Sequence, residues 1–76
     1  YRQKKYSEAI ECFNKALELD EKNAEIWNNK GLALTGLNEY KEAVKCYDRA
    51  LELEPEFKEA SLNREEALKK LKESQQ

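Results

Sequence analysis

The side chains able to do chemistry are few. Cys12 and Cys46 are the only thiols, and histidine is absent. Without His the chain lacks the commonest general base and metal ligand, and two thiols cannot build a four-thiolate zinc site. Glu52, Glu54 and Glu56 crowd the turn at Pro55. That segment has neither the alternating oxygen ligands nor the glycine of a calcium loop, so it reads as a solvated face. The chain is therefore expected to have no catalytic residues, no metal site and no cofactor. What remains is hydrogen-bonding chemistry. Asn29 and Asn63 each offer a donor and an acceptor, which suits the reading of a peptide backbone without regard to its sequence; the plain alternative is two exposed or capping amides.

The composition describes the scaffold that must hold these groups. The chain has 76 residues, and 14 Lys plus Arg against 16 Asp plus Glu leave a net charge of -2. One small domain is expected, without the basic stripe of a nucleic-acid surface. Ten Leu and eight Ala against three Ile or Val make the apolar set helical in character, and two Gly with one Pro are too few for the turns of a sheet protein. Charges recur so often that no 18-residue apolar span exists, which predicts no membrane helix. The first residue is Tyr rather than Met, so a piece of a longer chain is expected and a missing leader carries little weight.

Self-comparison at a shift of 34 organises the chain. Tyr6–Asn23 laid on Tyr40–Phe57 gives eight identities in 18 positions, among them Tyr6/Tyr40, Ala9/Ala43, Cys12/Cys46, Ala16/Ala50 and Leu19/Leu53. The same shift lays Ala24–Leu37 on Lys58–Leu71 with five identities in 14, Asn29/Asn63 included. Apolar residues at Tyr6, Ala9, Ile10, Phe13, Ala16 and Leu17, and again at Tyr40, Ala43, Val44, Tyr47, Ala50 and Leu51, follow the three-and-four spacing of one helix face. Ile26, Trp27, Gly31, Ala33, Leu34 and Leu37 give another helix, and Ala60, Ala67, Leu68 and Leu71 a fourth. Asp20–Asn23, Leu37–Asn38 and Glu54–Glu56 separate them, with Asn38 suited to a left-handed closing residue and Pro55 unable to continue a helix. Connections this short force neighbouring helices to run antiparallel. The sequence thus predicts an all-α, four-helix antiparallel hairpin stack. Gly31 inside a helix calls for a close-packing reason, and the aromatic residues on apolar faces read as core. Lys69, Lys70 and Lys72 with Glu65, Glu66 and Glu73 read as helical ion pairs.

Trp27-x2-Lys30-Gly31-x2-Leu34, then Ala43-x3-Tyr47, then Pro55, resembles the tetratricopeptide repeat, a 34-residue helical hairpin unit. Lys30 and Leu34 depart from the pattern's Leu and Tyr. By resemblance, residues 24–57 are one full repeat and residues 1–23 the end of a preceding one, with Tyr1–Lys5 as the tail of its first helix. Residues 58–76 resemble a further first helix and a tail. Ser61 and Glu65 stand there where the pattern has Trp and Gly, as in a solvating cap.

The resemblance implies a non-catalytic scaffold that binds protein partners in a groove lined by the first helices of successive repeats. On this chain the outward halves of those helices hold Glu25, Asn28, Asn29, Leu32, Thr35, Glu59, Leu62, Asn63 and Glu66. Some family members use an asparagine ladder, and Asn29 with Asn63 fits one. The family's basic carboxylate clamp is absent, because Asn28, Glu59 and Asn63 occupy its positions. A partner segment with aliphatic and basic side chains is the expectation. Two rival readings are a self-associating structural module and the substrate-selecting repeats of a larger enzyme. Self-association would join one chain's last helix to another's first, or pair the first-helix faces through Tyr6, Ile10, Phe13 and Leu17. Cys12 and Cys46 are expected to stay free thiols, since equivalent positions of stacked repeats lie about 10 Å apart, and a reducing, cytoplasmic setting follows.

Overall fold

Four helices account for most of residues 2–74, the residues that the computed structural model describes: α1 (Arg2–Leu19), α2 (Ala24–Gly36), α3 (Tyr40–Leu53) and α4 (Lys58–Ser74). Each boundary has a local cause. Asn23 is in extended conformation and its side-chain oxygen accepts a hydrogen bond from the Ile26 amide at 3.2 Å, satisfying one of the free donors at the start of α2. Asn38 sits at φ 63°, and the chain reverses there with the Asn38 and Glu39 amides donating to the Thr35 and Leu34 carbonyls. After α3 the backbone turns extended at Glu54, immediately before Pro55.

One boundary differs from expectation. Arg2–Lys5 continue α1 rather than close an earlier helix. The stretch one repeat later, Gly36–Glu39, contains a glycine and the left-handed Asn38, whereas Gln3, Lys4 and Lys5 are good helix formers with nothing to break the helix. Tyr1, at the head of that segment, and Gln75–Gln76 of the tail lie outside the described residues.

The helices stack as antiparallel neighbours. α2 touches α1, α3 and α4, α3 also touches α4, and among the described residues α1 touches α2 alone. The direct α2–α4 contact places these two helices in one layer, with α1 and α3 in the other. Small residues set the spacing: Ala43, Ala50, Ala60 and Ala67 are all fully buried at the crossings. Tyr47, 1% exposed, is the largest buried side chain. Its ring lies directly on Gly31, where an added Cβ would stand 2.5 Å from the nearest ring carbon. That is the close approach for which a mid-helix glycine is needed. Tyr6 covers Gly36 in the same way, with an added Cβ again at 2.5 Å.

Three core expectations need adjustment. Trp27 is only partly buried, because its ring spans the edge of the Ala24–Ala50–Ala60 cluster. The indole N–H donates to the Glu21 carbonyl at 2.8 Å, and Lys30 lies over the ring at 5.5 Å. Leu68 is 36% exposed, since its equivalent Leu34 faces a following second helix and α4 has none against it among the described residues. Of the apolar face expected to lie open on α1, Leu17 is buried and Tyr6, Ile10 and Phe13 are partly buried, because α2 covers that side.

Candidate functional site

The outward face of the α2–α4 layer carries the groove. Leu32 on α2 is 46% exposed and Leu62 on α4 is 65% exposed. Glu25, Glu59 and Glu66 are exposed beside them, and Asn29 is half-buried. Toward the start of both helices the face deepens into an open groove of about 1020 Å³. Its walls are Glu25, Asn28 and Asn29 of α2, the turn Leu53–Phe57, and Lys58 and Glu59 of α4. Four carboxylates, Glu25, Glu54, Glu56 and Glu59, face one ammonium, Lys58. Glu25 and Glu59 occupy the first turns of their helices, where the macrodipole also favours a negative charge.

Three of the expected groove residues serve the fold instead. Asn28 is 2% exposed, and its side-chain oxygen accepts from the Asn63 amide at 3.1 Å, a bond that ties α2 to α4. The asparagines that meet are therefore Asn28 and Asn63, not Asn29 and Asn63. The 34-residue spacing aligns equivalent positions, but the stagger of α4 against α2 brings Asn63 one residue off its equivalent. Thr35 donates to the Gly31 carbonyl at 2.9 Å and lies 3.1 Å from the Tyr47 hydroxyl, so it satisfies the polar end of the buried ring. Burial raises the Tyr47 pKa, with the Thr35 contact opposing. Asn28 lies on the helix half opposite Trp27's, so the periodicity gave no signal of its burial.

The ion pairs lie elsewhere than expected. Among the described residues they are Lys45–Glu42, Arg49–Glu52 and Arg64–Asp48, the last joining α3 to α4. The Lys and Glu residues late in α4 form none, since long exposed side chains gain little from pairing in water. Cys12 and Cys46 are both free thiols; Cys12 is exposed and Cys46 buried. Burial raises the Cys46 pKa, partly offset by the Lys30 charge, so this thiol is protonated and inert at neutral pH. No group of three or more His, Cys, Asp or Glu side chains among the described residues could hold a metal ion.

Paired antiparallel helices, the aromatic ring on Gly31 and the layer of first helices form one repeating unit. A sequence profile described as "Tetratricopeptide repeat" matches residues 24–57, and a second, "TPR repeat", matches residues 1–38. The chain belongs to the tetratricopeptide repeat family. Tetratricopeptide repeats generally mediate protein–protein interactions and are typically non-catalytic. A search of curated proteins finds none that matches this chain. No helix of the described residues is long and apolar enough to cross a membrane.

Proposed function

We propose that the outward face of the α2–α4 layer is a docking surface that holds a segment of a partner protein without acting on it chemically. The observation that carries this reading is the pair of exposed leucines, Leu32 and Leu62, set in one layer beside a groove with an excess of carboxylates. The partner segment is aliphatic, to cover Leu32 and Leu62, and basic, to meet Glu25, Glu59 and Glu66. Asn29 supplies backbone hydrogen bonds at the groove wall, and Asn63, tied to Asn28, presents the rest of its amide. In this reading residues 24–57 are one complete repeat, residues 1–23 the second half of another, and residues 58–76 a cap-like helix with its tail. A reducing, cytoplasmic setting suits two free thiols.

Selection from a random peptide display library tests the reading directly. Binders should share aliphatic positions flanked by Lys or Arg, and Leu32→Asp with Leu62→Asp should weaken them by more than tenfold. Leu19→Asp, off the groove, should leave them unchanged. Binders that are acidic, or that survive the double substitution, would discard the groove as the docking surface.

A further inference from the structure

A second groove lies between α1 and α3. These two helices do not touch each other among the described residues, and α2, packed against both, closes the gap between them from behind. The result is an open groove of about 450 Å³ whose floor and two walls all belong to described helices. Ile10, Trp27 and Leu34 make its apolar part, and Lys30, Lys45 and Arg49 set three cations against one carboxylate, Glu42. Its charge is opposite to that of the α2–α4 face.

Two of the three cations are already engaged. Lys45 pairs with Glu42 at 3.4 Å and Arg49 with Glu52 at 2.9 Å, each within α3. Lys30 is half-buried and takes part in no ion pair among the described residues. Its ammonium lies over the Trp27 ring, which steadies the charge without neutralising it. The equivalent place one repeat later shows what is missing. At a shift of 34 residues Arg64 stands for Lys30 and Asp48 for Asn14, and the Arg64 guanidinium donates to the Asp48 carboxylate. The earlier pair keeps the cation and has an exposed amide in place of the carboxylate. Nor does the fold require a charge there, since the repeat pattern has Leu at the position of Lys30.

We propose that this groove takes a carboxylate side chain from an acidic segment of a partner protein, held between the Lys30 ammonium and the Asn14 amide. The bound carboxylate does for Lys30 what Asp48 does for Arg64: one oxygen accepts from the ammonium and the other from the amide N–H. Arg49 on the facing wall adds a positive field, and Glu42, tied to Lys45, leaves the excess in place. Aliphatic neighbours of the acidic residue cover Ile10 and Leu34, which a bare inorganic anion would leave uncovered. The site lies in the other layer from Leu32 and Leu62 and does not rest on the reading of that face.

Fluorescence anisotropy with a capped peptide of Glu and Leu residues tests the site. The parent chain should bind it, and a peptide with Gln in place of Glu should bind about tenfold more weakly. Lys30→Leu, which restores the residue of the repeat pattern, should keep the fold and lose about tenfold in affinity for the Glu peptide. Asn14→Asp supplies the carboxylate from within the chain and should weaken the peptide by a similar factor without lowering thermal stability. Leu32→Asp with Leu62→Asp should leave this binding unchanged; its loss there would move the peptide to the α2–α4 face and overturn the proposal. No binding by the parent, equal binding of the Gln peptide, or undiminished binding by Asn14→Asp would overturn it as well. So would displacement of the peptide by inorganic phosphate at the same concentration of anionic groups, which would mark a site for a small anion.

Discussion

Helices α1 and α3 carry nearly the same pattern and live in different surroundings. Ala43 and Ala50 are fully buried while Ala9 and Ala16 are not; Cys46 is buried and Cys12 exposed; Leu53 packs on a core cluster and Leu19 stands in the open. The two helices differ in neighbours rather than in character. α3 is held between α2 and α4, and α1, among the described residues, rests on α2 alone. A repeat's sequence specifies which face of a helix is made for packing, and the next helix in space decides whether that face is packed.

Substitution at equivalent positions measures the difference. Tyr47→Ala should cost about 3–5 kcal/mol, because it empties a fully enclosed ring site, and Phe13→Ala clearly less, because its site is partly open. Thermal unfolding of the pair checks this, and equal losses would mean that α1 is as enclosed as α3. Gly31→Ala comes next. Its methyl group would press on the Tyr47 ring, and overpacking of this kind costs about 1–3 kcal/mol. Combining it with Tyr47→Leu should recover part of the loss, which denaturant titration of the single and double variants would read.

Smaller effects separate the asparagines. Asn63→Ala leaves the buried Asn28 oxygen without its donor and should cost about 1–3 kcal/mol. Asn29→Ala should stay within about 0.5 kcal/mol. If the two variants melted together, the Asn28–Asn63 bond would have no role in joining α2 to α4. The smallest contrast concerns the thiols. Cys12 should react with an alkylating reagent at once and Cys46 only as the fold opens. Both Cys46 and Tyr47 have pKa values raised by burial, so each contributes stability that is full below its unfolded value and is lost as pH rises through its higher folded one. An alkaline titration should therefore begin to destabilise the chain above about pH 9, where the thiol of the unfolded chain ionises while the buried Cys46 stays protonated.

Much of this was legible in the residues themselves. The spacing of Tyr40, Ala43, Val44, Tyr47, Ala50 and Leu51 marks a helix face whatever covers it, and Asn38 and Pro55 mark breaks through their own backbone limits. Gly31 announced a close contact because a mid-helix glycine is otherwise a cost. The groove was less legible. Asn28 and Thr35 look like surface residues by periodicity, yet one is claimed by α4 and the other by the hydroxyl of Tyr47, and both contacts depend on how helices are staggered in space. The four residues Arg2–Lys5 misled for the opposite reason. The resemblance placed them in the tail of an earlier helix, but with nothing among them to break it they extend α1.

The uneven contacts of α2 set an order of opening. Detaching α1 breaks one interface, whereas releasing α2 breaks three. Backbone amides of α1 should thus exchange with heavy water through local excursions well below the energy of global unfolding, and those in the middle of α2 and α3 only when the whole stack comes apart. Among the described residues the chain is a short row of coupled units in which α1 can open while the α2–α4 face keeps its shape.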